Sequence, residues 1–180
     1  LTTPGGVPVE VLALCRPYGR ATGDAPHDPT LSLRVSVMAS ARGVRFGREA
    51  DRPTIDAQYL QDPGTRDALR DAVRAVTGLA LSPSFGDVLG TWLGPDGPTV
   101  AMDTALDEWI AARLGTSMHL CSTVPMGPAT DPSAVVDQLG WVRGVEGLRV
   151  VDTSILPSAP TRGPACSAIV LAEHLASTFD

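Results

Sequence analysis

The chain has 180 residues, enough to bury a core in one or two compact units. Its formal charge of −6 and pI near 4.9 argue against nucleic acid, where phosphate contacts need clustered Lys and Arg. No apolar run reaches bilayer length and no signal peptide is visible, so neither a membrane span nor export is expected. Gly (18) and Pro (16) make up almost a fifth of the residues, scattered between apolar runs. That pattern implies many turns in a folded protein, not disorder.

Val7 to Leu14 is apolar apart from Glu10 and predicts a strand. A loop rich in Gly, Pro and Asp follows from Pro17 to Pro29. Leu31, Leu33, Val35 and Val37 then alternate with polar residues, the period of a half-buried strand. Gly43 punctuates it, and Val44 to Phe46 is expected to return as its hairpin partner. Pro53 to Tyr59 predicts a further extended segment.

Asp62-Pro63 opens a helix, with Asp62 as cap and Pro63 in the first turn. Its apolar positions Ala68, Leu69, Ala72, Val73, Val76 and Leu79 recur at three and four residues. A second helix is expected from Met102 to Leu114, with Ala105, Leu106, Trp109 and Ile110 inward and Gly115 beyond its end. From Thr116 onward helical periodicity stops. Loops surround a short strand, Leu148 to Val151, that ends at Asp152. A last helix runs from about Pro164 to Ser177, with Ile169, Leu171, Ala172, Leu175 and Ala176 as its packing face.

Cys15, Cys121 and Cys166 are odd in number and widely spaced, which points to a reduced, cytoplasmic setting. Cys121 and Cys166 are expected to be small buried fillers. His119 and Cys121 lie two apart, but no second pair completes a tetrahedral zinc site, so no metal is expected. A strand ending in Asp152-Thr153-Ser154 would present N–H groups and a carboxylate at a sheet's carboxyl edge, where α/β sheets bind ligands. A helix opening at Pro164 directs its positive end at an anion. His119 in a preceding loop could move a proton near neutral pH. From the residues alone, these features point to an anionic cofactor beside a proton-transfer group.

The order of motifs goes further. His119-Leu120-Cys121-Ser122-Thr123-Val124-Pro125-Met126-Gly127, a spacer containing Val135-Val136-Asp137, then Gly144 to Pro157 and a closing helix with Ala172-Glu173 resemble the C-terminal signature of the glucose–methanol–choline (GMC) oxidoreductase family. The wording around His119-Leu120-Cys121, Ala134 to Asp137 and Arg162-Gly163-Pro164 is most similar to its mycofactocin-associated dehydrogenases. Upstream, Ser40 to Gly43, Asp51 to Asp56 and Tyr59-Leu60 resemble substrate-domain strands of the family. Leu106 to Ile110 resembles the helix before its catalytic loop.

The resemblance implies an α+β fold: an antiparallel-sheet substrate-binding domain with flanking helices over 1–116, then over 117–180 the catalytic loop and the C-terminal strand–helix segment of an FAD-binding domain. It implies FAD as cofactor and oxidation of a small-molecule alcohol, with hydride passing to flavin N5, His119 as general base and a redox acceptor downstream. Asp152 and Thr153 match the segment that approaches the ribityl and phosphate region, and Gly163, Pro164 and Ala165 the turn facing the pyrimidine edge.

Two features depart from the family pattern. The family usually carries a second His or Asn eleven residues after the strand-end Asp, where this chain has Gly163; two positions on stands Ala165. No G-x-G-x-x-G follows a strand, so the nucleotide-binding half is expected from a missing N-terminal portion, consistent with a chain that begins at Leu1. The isolated chain is then expected to be inactive. Two alternatives stand beside the dehydrogenase: a hydroxynitrile-lyase-type flavoprotein of the same fold, and a catalytically inert fragment.

Overall fold

The computed structural model describes residues 1–14, 32–38, 44–49 and 52–179. The expected loop over 17–29 and the stretch 39–43 lie outside the described residues, as do Cys15, His27 and Asp51. The chain divides into two compact units, Leu1–Val37 with Leu60–Gly115, and Met38–Tyr59 with Thr116–Asp180.

In the first unit, β1 (Val9–Leu14) pairs antiparallel with β2 (Ser32–Val37), Val9 opposite Val37 and Leu14 opposite Ser32. Burial does not follow the expected alternation. Val9 and Ser36 are buried at one end of the ribbon, while Leu12 and Leu33 are exposed toward the other. A two-stranded ribbon is covered only where another element reaches it.

Helix α1 (Pro63–Ala80) begins where the sequence places it. Asp62 accepts hydrogen bonds from the Thr65 amide at 2.6 Å and the Thr65 hydroxyl at 2.8 Å. Those bonds hold its carboxyl below the usual aspartate range. Ala68, Ala72, Val76 and Ala80 form its buried stripe, one turn apart, and small side chains there let neighbouring elements come close. The helix packs on β1 and β2 and on α3 (Asp103–Ala111), from which Leu106 and Ile110 are buried. Burying a leucine fully stabilises by about 1.5–3 kcal/mol, and Leu106 is fully enclosed.

Helix α3 stops short of the expected Leu114. Before it lies a short helix that the periodicity misses, α2 (Gly97–Ala101), capped by Asp96 accepting from the Thr99 amide at 2.8 Å. Arg70 and Arg74 of α1 reach Asp103 at 3.0 and 2.6 Å, and Arg70 also meets Asp67 and Asp107. The network is surface-exposed, so it orients the helices more than it stabilises them.

In the second unit, β3 (Arg45–Glu49) and β4 (Arg52–Asp56) form an antiparallel hairpin, Arg45 opposite Asp56 and Glu49 opposite Arg52. The expected pairing of Val44–Phe46 with the preceding strand is therefore corrected: the partner is β4, and β2 pairs with β1. Apolar alternation identifies a strand but not which neighbour it joins.

The core of this unit is Val136, Ile155 and Leu175, packed by Val124, Met126, Val142, Val150, Val151 and Leu171. Leu175 and Leu171 come from helix α4 (Ala165–Ala176). Its expected packing face is narrower than drawn: Ile169 is 64% exposed, and Ala172 and Ala176 are exposed as well. The expected strand Leu148–Val151 is an extended segment with a single bridge, Arg149 to Trp141. A strand needs a partner edge along its length, and here the backbone bonds of Leu148 to Val142 and of Val150 to Gly140 make only the one bridge.

The Arg149 guanidinium lies over the Trp141 ring at 4.7 Å and the Phe179 ring at 4.3 Å. It also donates to the Leu139 carbonyl at 2.6 Å and the Thr178 hydroxyl at 2.7 Å, tying the end of α4 to the 137–141 turn. Among the described residues no helix is long and apolar enough to cross a membrane.

Candidate functional site

His119 sits in a segment without regular structure, bracketed by two residues in the left-handed region, Met118 (φ 57°) and Ser122 (φ 66°). Such conformations cost of order 1–3 kcal/mol and persist where surrounding contacts over-determine them. Those contacts are backbone hydrogen bonds to the turn at the end of the 148–151 segment. The amides of Ser122, Val124 and Met126 donate to the carbonyls of Thr153, Ser154 and Ile155 at 3.3, 3.0 and 2.7 Å. The Thr153 hydroxyl donates in return to the Leu120 carbonyl at 2.9 Å.

Asp152 caps the single 3-10 turn Thr153–Ile155, its carboxylate accepting from the Ser154 amide at 2.7 Å. Ile155 then drops into the core, completely buried. The turn is thus anchored from below by packing and from the side by the His119 loop.

The third sequence-predicted segment closes on the same place. Gly163 lies against the His119 ring: a Cβ on Gly163 would come within 2.9 Å of His119 Cε1, 3.4 Å of Nδ1 and 3.5 Å of Nε2. Pro164 is buried and stands at the cap position of α4, one residue earlier than expected, its carbonyl accepting from the Ala168 amide at 2.8 Å. Ala165 is exposed at the first helical position. His119, Thr153 and Gly163 are therefore brought together from positions up to 44 residues apart. Asp152, Pro164 and Ala165 flank them in sequence.

Two buried polar atoms have no hydrogen-bond partner among the described residues, His119 Nδ1 and Ser122 Oγ. Buried polar groups are normally paired, so both mark the site as more than a packing feature. Ser122 lies within the motif that begins at His119, but at a position whose residue type the motif leaves open, so the sequence does not single it out. Cys121 is fully buried, and burial pushes its thiol up, against a hydrogen bond with Thr153 that pulls it down. It fits the expected buried filler. Cys166 does not, because it lies exposed on α4. Among the described residues no cluster of three His, Cys, Asp or Glu side chains is arranged to hold a metal ion. A cleft of about 300 Å³ in the first unit, between Leu69 and Ile110 with Arg66, Asp107 and Glu108 at its rim, contains no sequence-predicted site residue.

A sequence model of the family described as GMC oxidoreductase, covering its C-terminal region, matches residues 44–172. The chain is 36% identical over 166 residues to an uncharacterized GMC-type oxidoreductase of Rhodococcus erythropolis, covering 88% of this chain and 32% of that protein. It is 30% identical over 151 residues to the oxygen-dependent choline dehydrogenase of Vibrio vulnificus, covering 84% of this chain and 26% of that one. Among solved structures, pyridoxine 4-oxidase from Mesorbium loti superposes with a TM-score of 0.70 at 26% identity, over 86% of this chain and 31% of that chain. The chain thus spans about a third or less of the length of these relatives. The mixed helices and small antiparallel sheets, the His119 loop locked to the Asp152 turn and the match across 44–172 converge on one assignment: the chain belongs to the GMC oxidoreductase family.

Proposed function

We propose that this chain supplies the proton-transfer side of an FAD-dependent alcohol oxidoreductase, with His119 as general base. The observation that carries the reading is the junction of three segments: the His119 loop, the Asp152-Thr153 turn bonded to it, and Gly163-Pro164-Ala165 at the head of α4. In this reading residues 1–116 contribute to the substrate-binding domain and 117–180 close the FAD-binding domain. The nucleotide-binding half comes from the rest of the protein or from a separate chain.

The donor set suits a flavin. Two buried polar atoms at the junction are orphaned, and the first amides of α4 lack intrahelical acceptors, as at every helix start. Those amides and the helix dipole would hold the electron-rich pyrimidine edge beyond Gly163, Pro164 and Ala165. Asp152 uses one carboxylate oxygen to cap its turn, leaving the other for a ribityl hydroxyl, with Thr153 alongside. The chemistry supplied by bound FAD is acceptance of hydride from the carbinol carbon. His119 takes the hydroxyl proton on an imidazole nitrogen, which raises electron density at that carbon. The loop's backbone bonds to 153–155 keep the imidazole from drifting while it does so.

A dehydrogenase is preferred to an oxidase on the mycofactocin-like wording around His119 and Gly163. The relatives named for choline and pyridoxine suggest primary alcohols as first substrates to try. The test is anaerobic flavin bleaching by choline or pyridoxine in the full-length, FAD-loaded protein. His119→Gln is expected to slow it by about 10²–10⁴-fold with FAD content unchanged. An undiminished rate would remove His119 from the mechanism. Cyanohydrin cleavage without bleaching would move the assignment to a lyase, and neither activity to an inert remnant.

A further inference from the structure

We propose that Gly163 is a positioning residue for His119, and that the bare Cα at this point is what allows the imidazole its place. The inference rests on the reading of His119 as base and goes beyond it.

The geometry is specific. A single Cβ on Gly163 would stand 2.9 Å from His119 Cε1, closer than carbon atoms of neighbouring groups approach. The two ring nitrogens bonded to Cε1 would lie 3.4 and 3.5 Å from it, so the glycine faces the Cε1 end of the ring. No described residue hydrogen-bonds His119 Nδ1, although that atom is buried. A ring without a hydrogen-bond anchor at Nδ1 takes its orientation from packing, and Gly163 is a wall it packs against.

The conformational explanation for a glycine does not apply here. Positive φ occurs at Gly6, Gly140, Gly144 and Gly147, not at Gly163, so alanine is compatible with the backbone. What alanine would disturb is the ring. Because the imidazole turns about two side-chain bonds, it would swing away before the backbone yielded.

The experiment uses the full-length protein labelled with ¹³C-histidine and ¹³C-glycine, with His119→Gln assigning the His119 resonance. An NOE between His119 Hε1 and the Gly163 Hα protons is expected. In Gly163→Ala the His119 Cε1–Hε1 peak moves, the His174 peak stays, and the thermal midpoint is retained. Turnover of choline or pyridoxine falls, by up to about 10²-fold, the loss that a displacement of a full ångström can cause, with KM little changed. Absence of the NOE in the parent protein overturns the proposal even if the variant does not fold. So does an unmoved His119 peak in folded Gly163→Ala. Failure of the underlying reading looks different: His119→Gln would keep full turnover while the NOE of the parent protein persists.

Discussion

The two units are held together by different physics. In the first, two helix starts are satisfied locally: Asp62 caps α1 and Asp96 caps α2, each through a threonine three residues on, while Met102 before α3 offers no side-chain cap. Its core is a helical stripe of alanines and valine against Leu106 and Ile110. Among the described residues the second unit has one long helix and one hairpin, and part of its remaining backbone is paired across large sequence distances. The amides of 122–126 donate to 153–155, and the Val150 amide donates to the Gly140 carbonyl at 2.9 Å. Buried backbone must be paired somewhere, and loops that pair with one another are positioned as firmly as strands. The candidate site lies on that irregular frame, where polar groups can be held without being absorbed into a ladder.

The comparison can be broken most forcefully at the cores. Leu106→Ala and Leu175→Ala each remove a completely buried side chain and should cost about 2–5 kcal/mol. Hydrogen exchange separates them: Leu175→Ala should expose the amides of Ser122, Val124 and Met126, whereas Leu106→Ala should expose those of α1 and α3. Unchanged protection at 122–126 in Leu175→Ala would mean that the site does not depend on the core below it.

A smaller loss is expected at Gly140, which has φ +79° and stands so close to residue 150 that a Cβ would lie 2.5 Å from the Val150 carbonyl oxygen. Gly140→Ala combines left-handed strain with a clash against backbone and should cost about 2 kcal/mol or more, read from the urea midpoint. Gly78, in the last turn of α1 with open space around it, is the control: Gly78→Ala should stabilise, by up to about 1 kcal/mol.

The smallest effect sharpens the electrostatic side of the first unit. The hydrogen bond from Arg74, helped by the nearby Arg70 charge, holds the Asp103 carboxyl below its usual range. A carboxyl depressed in the folded state contributes stability above its ordinary value, and that stability is lost as pH falls through the folded value. Asp103→Asn should therefore be slightly less stable than the parent at neutral pH. The two should converge in acid, and the neutral-pH gap should shrink with added salt because the pair is exposed. A gap that widens on acidification would contradict the assignment.

Much of the first unit was legible in the sequence because its rules are local. Asp62-Pro63 and the four-residue spacing of Ala68, Ala72 and Val76 locate α1 without knowledge of any neighbour. The candidate site residues were proposed for another reason: the order of the His119, Asp152 and Arg162-Gly163-Pro164 segments resembles a family signature, and chemistry constrains residue type at such positions more tightly than packing does. Tertiary structure decided the rest. Which strand β3 joins, why Leu33 is exposed and Ser36 buried, and why the 148–151 segment makes one bridge depend on what lies beside each segment. Periodicity cannot report that, because it records the faces of an element and not its neighbours. The contact between Gly163 and the His119 ring belongs to the same class. In sequence Gly163 is a missing side chain, and only the fold makes it the surface on which the imidazole rests.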